Sequence, residues 1–215
     1  MNTMGIVTLA LLVATSSNAP TTPDSIWALV DAAVAADDDR RKEILQEVEA
    51  SVRAALAEDE TAVDRRYALA VVLGARANTE GGQSKVRAAA ELHEQLVAIL
   101  EADPGHVGAR HLLGRLHAGV RRMGRVTRWL ATNLLGGGEL KRATWAAAEE
   151  NLAYAEARAP EVPDHHLQLA LLYRDTDRPE LATEEIRHVM ELQAFTAMDM
   201  AVHAEASRVW AELQD

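Results

Sequence analysis

Two stretches of this chain repeat one pattern of large and small residues, and that pattern admits few folds. The first runs from His106 to Pro160. It opens with Leu113-Gly114, continues with Ala148, Leu152 and Ala155 on one face of a second helix, and closes at Pro160. The second runs from Pro160 to Ala194, a span of 34 residues. It carries Leu169-Ala170, then Tyr173, then Ala182, Ile186 and Val189 at the spacing of Ala148, Leu152 and Ala155. In each unit a small residue beside a large one leaves room for a second helix to cross the first closely. A lone pair of helices cannot bury its apolar face, so such units must stack on their neighbours.

The rest of the chain obeys the same rule. Ile26, Leu29, Val30, Ala33 and Val34 share one helix face, and Ile44, Leu45, Val48, Val52 and Leu56 share another. Asp37-Asp38-Asp39 between them lacks the spaced ligands, glycine and terminal Glu of a calcium loop, and reads as a turn whose carboxylates cap the next helix. Thr61 opens a helix carrying Val63, Tyr67, Ala70, Val71 and Gly74. A loop over 78–84 follows, then a partner helix over 85–101 and a turn at Asp103-Pro104-Gly105. Pro104 and Pro160 lie 56 residues apart, one period plus 22, and the surplus falls near Gly119 to Arg142. Val202, Ala206, Val209 and Leu213 keep helical phase to the end, as a closing cap requires. Aromatic residues are only 4% of the chain, which suits closely packed helices better than a sheet. The expected fold is all-α: a tetratricopeptide-like right-handed superhelix of helical hairpins. It has about nine helices, an inserted amphipathic helix and a C-terminal capping helix.

Residues 24–215 form one domain on this reading, behind a linker at 20–23. Residues 1–19 read as a signal peptide. Ile6 to Ala14 has the length of an apolar h-region, and Ser17-Asn18-Ala19 supplies small residues for cleavage. No Lys or Arg precedes Arg40, and Pro20 would follow the cut, so a disordered tail or a short membrane anchor stays open as the alternative. Export to the periplasm or envelope is the expectation, and a cytoplasmic location is the alternative. Without cysteine, disulfides, thiolate metal sites and a Cys nucleophile are excluded.

The net charge of −11 is uneven. Residues 24–64 hold twelve acids and four bases, whereas residues 104–138 hold no acid, six Arg and three His. Overall acidity argues against nucleic acid as a partner. The basic stretch still suits an anionic partner. Arg121, Arg125 and Arg128 fall at i, i+4 and i+7, with Met123, Val126, Leu130 and Leu134 on another face and Trp129 at the boundary. Such a helix could hold an anionic headgroup or an acidic peptide. Equally, it could pack by its apolar face while the Arg side chains pair with acids of the first two helices.

His111 and His117 are six apart and do not share a helix face, and His165-His166 point in different directions. Neither pair has a third ligand at metal-site spacing, so no metal is expected. Gly81-Gly82 and Gly136-Gly137-Gly138 lack the Lys-Ser/Thr of a phosphate loop and read as turns. No serine elbow, spaced carboxylate pair or oriented His marks a reaction centre, so neither enzyme activity nor a cofactor is expected.

The segment His111-Leu112-Leu113-Gly114-Arg115, the insertion with Trp129 to Gly137, the closing Ala157-Arg158-Ala159-Pro160 and then Leu171 to Asp175 form a distinctive order. Over about Thr61 to Leu213 this order resembles the helical domain of the regulator of microtubule dynamics family. Animal members of that family are organelle-associated and linked to microtubules, and the resemblance implies a helical domain suited to phospholipid or protein partners. This chain differs in lacking their long linker and tethering motif.

Two functions follow as expectations. The first is a non-catalytic envelope scaffold that binds a protein segment in its concave groove. The second is a phospholipid or hydrophobic-ligand binder that uses the inserted helix. The residues expected to meet the partner are His111, Arg115, Arg121, Arg125, Arg128, Trp129 and Tyr173.

Overall fold

The computed structural model describes residues 23–124, 128 and 138–214. Among them are nine α-helices: α1 Pro23–Ala35, α2 Asp38–Glu58, α3 Val63–Thr79, α4 Gly82–Ala102, α5 Val107–Arg122, α6 Trp145–Glu156, α7 Pro163–Asp175, α8 Pro179–Glu191 and α9 Ala197–Gln214. A short 3-10 turn, Gly138–Arg142, precedes α6. Each helix packs on the next, as a helical-repeat superhelix requires. No described helix is long and apolar enough to cross a membrane. The candidate signal peptide and the inserted helix beyond Gly124, Arg128 excepted, lie outside the described residues.

Helix ends follow local chemistry. Asp37 caps α2 by accepting the Arg40 amide at 2.9 Å, so the acidic triplet is the capped turn its composition suggests. His106 caps α5 through Nδ1, and Thr144 caps α6 through Oγ1. Pro163 and Pro179 begin α7 and α8, where proline's missing N–H costs no hydrogen bond. The expected loop over 78–84 is shorter than its composition implied. α3 continues to Thr79 and α4 starts at Gly82, whose φ of +57° makes the tight reversal.

The repeat residues form the core. Ala148, Leu152 and Ala155 are fully buried, as are Ala182, Ile186 and Val189 in the next hairpin. Gly114 lies under α6: a Cβ there would sit 2.6 Å from Leu152 Cγ and 3.0 Å from the Ala148 carbonyl oxygen. The close crossing that the large-small pair implied is therefore present. Glu49 of α2 accepts from Arg53 at 2.8 Å and from Arg76 of α3 at 2.5 Å, and Arg53 reaches Glu91 of α4 at 2.6 Å. This ladder of charges joins α2, α3 and α4.

The cap does more than cover an end. The odd-numbered helices touch in series, α1 on α3, α3 on α5, α5 on α7 and α7 on α9, and α9 then packs on α1. The Met198 amide donates to Asp31 Oδ1 at 2.8 Å, joining residues 167 apart. The two ends of the helical array thus meet along the line of first helices.

Candidate functional site

The odd helices bring one polar cluster together. Asp164, in the first turn of α7, accepts from Arg115 Nη1 at 2.6 Å and from His111 Nε2 at 3.0 Å, both on α5. Its other oxygen accepts from Gln168 at 2.9 Å. Burial opposes ionisation of this carboxyl, but the Arg115 guanidinium and the His111 and Gln168 hydrogen bonds outweigh it and hold Asp164 well below the usual carboxylate range. The His111 ring lies 4.6 Å from that of His165, whose Nδ1 is 3.1 Å from the Ala159 carbonyl. Burial, with the neighbouring His111, pushes His165 down to about 4.

An aromatic group continues the cluster toward α1. Tyr67 of α3 lies 4.5 Å from the His106 ring and 6.0 Å from Trp27. Burial pushes its phenol up to about 12. Gly108 makes room for it, because a Cβ at that position would stand 2.1 Å from the Tyr67 hydroxyl.

Of the residues read from the sequence, His111 and Arg115 do meet, but both turn toward Asp164. They tie α5 to α7. Tyr173 is not with them. It sits at the end of α7 beneath the Arg178 guanidinium, 4.5 Å from its ring centroid, and Arg178 makes a two-pronged bond to Glu149 at 2.8 and 2.9 Å.

The arginine stripe also divides. α5 ends at Arg122, and Met123 is extended, so Arg121 belongs to α5 and not to the inserted helix. Arg128 donates at 3.4 Å to the carbonyls of Arg121 and Met123, closing the C-terminal end of α5. Arg122 pairs with Asp175 at 2.5 Å. Of the described arginines of this stretch, Arg115 and Arg122 thus reach acids of α7 and not of the acid-rich first two helices. Arg125 and Trp129 lie outside the described residues.

A second surface went unread in the sequence. Phe195, the one phenylalanine of the chain, is 83% exposed in the link between α8 and α9. It borders an open depression of about 460 Å³ whose apolar wall is Val162, Pro163 and Leu192 and whose rim carries Glu161, Glu191 and Asp199. Met190 and Met200, also exposed, flank it in sequence. The signal was present: Phe195 falls out of phase between Val189 of one helix and Val202 of the next.

No curated protein matches the chain. A family model described as regulator of microtubule dynamics protein 1-3 matches residues 8–214, nearly the whole length. Helical pairs, the close crossing at Gly114 and this match agree: the chain is a helical-repeat domain that belongs to the regulator of microtubule dynamics family.

Proposed function

We propose that this chain is a non-catalytic scaffold that binds a protein segment at the edge formed by α7, α8 and α9. The exposure of Phe195 carries the reading. A chain with one phenylalanine that leaves it outside the core, beside a concave apolar surface, has an anchor to offer a partner. The carboxylates on the rim favour a segment with an apolar residue flanked by Lys or Arg. The inner polar cluster supports this placement, since Asp164 already occupies His111 and Arg115.

The test is selection from a displayed random-peptide library, followed by measured affinities. Peptides with an apolar centre and basic flanks are expected to bind, and Phe195→Ser is expected to weaken them at least about tenfold, as loss of an aromatic anchor does, with unchanged thermal stability. Failure to enrich such peptides, or equal binding by the variant, refutes the reading.

One observation favours a second reading, an anionic lipid headgroup held by Arg121, Arg125 and Arg128. The Arg121 Nε–H is buried and meets no hydrogen-bond acceptor among the described residues. Vesicles containing phosphatidylglycerol should then bind the chain where phosphatidylcholine vesicles do not, and the triple Arg→Gln variant should lose that difference.

A further inference from the structure

We propose that His166, Glu185 and His188 form a binding site for a divalent transition-metal ion of the zinc class. His166 lies in α7, while Glu185 and His188 lie one turn apart on the facing α8. His166 Nδ1 is 2.7 Å from Glu185 Oε2, and His188 Nδ1 is 3.8 Å from the same oxygen. The two rings meet edge to face with centroids 5.1 Å apart. One donor atom from each residue lies within 4.8 Å of the others. An ion bound at about 2.0–2.2 Å needs such donors roughly 3.4 Å apart. Reaching that spacing asks the His166–Glu185 pair to open from 2.7 Å and the exposed His188 ring to rotate inward.

The hydrogen bonding of His166 selects this use. Its Nε2 is 2.8 Å from the Pro160 carbonyl, which can only accept, so Nε2 carries the ring proton. That leaves the Nδ1 lone pair aimed at a carboxylate oxygen 2.7 Å away. A proton fills a gap of that length, and a metal ion would take the proton's place as the pair opens to ligand spacing. A histidine that donates its far N–H to a backbone carbonyl is oriented as metal-bound histidines are. Buried His166 and half-exposed His188 leave one side of the site open to solvent, room for a water as fourth ligand. Two imidazoles and one carboxylate suit Zn²⁺, Co²⁺ or Ni²⁺, and not the all-oxygen preferences of Ca²⁺ and Mg²⁺. On the sequence the pattern is Glu185-x-x-His188 in one helix facing His166 in another, a spacing that shows only when the two helices are placed together.

The test is calorimetric titration of the untagged, chelator-treated full chain with Zn²⁺, paired with the visible spectrum of the Co²⁺-loaded chain. One ion per chain and a four-coordinate Co²⁺ spectrum are expected. His188→Ala should lower Zn²⁺ affinity at least about tenfold and abolish the Co²⁺ bands, and Glu185→Gln should do the same. His188 is on the surface, so its variant keeps the helical circular dichroism and separates loss of ligand from loss of fold. Absence of stoichiometric binding overturns the proposal, and so does binding that survives both substitutions, which would place the ion on other histidines of the chain.

Discussion

Gly114→Ala is a direct test of the packing on which the architecture rests. The new methyl would lie 2.6 Å from Leu152 Cγ and 3.0 Å from the Ala148 carbonyl oxygen. Carbon atoms rest about 3.5–4.0 Å apart, so the first contact is about 1 Å too short. Leu152 is fully buried, and the Ala148 oxygen is backbone, so α6 itself must shift. Overpacking of this kind costs about 1–3 kcal/mol. Alanine's better helix propensity returns about 1 kcal/mol. The backbone contact puts the clash in the upper part of its range, for a net loss of about 1–2 kcal/mol, or about 2–4 °C of melting temperature per kcal/mol. Leu152→Ala alone should cost about 2–5 kcal/mol through its cavity. In the double variant the added methyl enters that cavity, so the pair should be less destabilised than the sum by at least about 1 kcal/mol. Urea unfolding followed by far-ultraviolet circular dichroism gives all four corners of the cycle. A stabilised Gly114→Ala, or a double variant additive within about 0.5 kcal/mol, would show that α5 and α6 do not cross as described.

Three further outcomes follow from other parts of the structure. Asp164→Ala leaves Arg115 and His111 facing a partly buried void, and removing one member of such a pair should cost about 3 kcal/mol in unfolding free energy. Gly82→Ala should cost about 1–2 kcal/mol because φ is +57° there, and Gly82→Asn should cost less because asparagine tolerates that conformation better. Burial, and secondarily the neighbouring His93, pushes His117 down to about 4 from an unfolded value of about 6.5. The unfolded chain therefore takes up a proton that the folded chain refuses, and this contribution to stability falls as pH drops from about 6.5 to about 4. Denaturation midpoints across that window should show a shallower slope for His117→Gln, and an unchanged slope would remove His117 from the acid response.

The helices and their buried faces were legible because they depend on local chemistry and on a period. The spacing of Ala148, Leu152 and Ala155 identified fully buried residues, and the recurrence in Ala182, Ile186 and Val189 did so again. The acidic triplet announced a cap because its carboxylates act within one turn. Family membership was also legible, since it lies in the order of motifs along the chain. Arg121 and Arg128 do not share one helix, for a local reason. Helical spacing was counted across Met123, where the backbone is extended, so residues in phase on paper belong to different segments.

Tertiary structure decided what the separate helices mean to one another. Periodicity places a residue on a face but cannot say which distant residue faces it. Only the folded chain sets Asp164 between Arg115 and His111, tying α5 to α7. Only the return of α9 to α1, through the Met198 amide and Asp31, joins the ends of the helical array. The same limit hid the pairing of His166 with Glu185 and His188, and the depression beside Phe195, because each is assembled from elements distant in sequence. Local propensity and capping act over a few residues and are written in order along the chain. A binding surface depends on distances across the fold, which that order does not record.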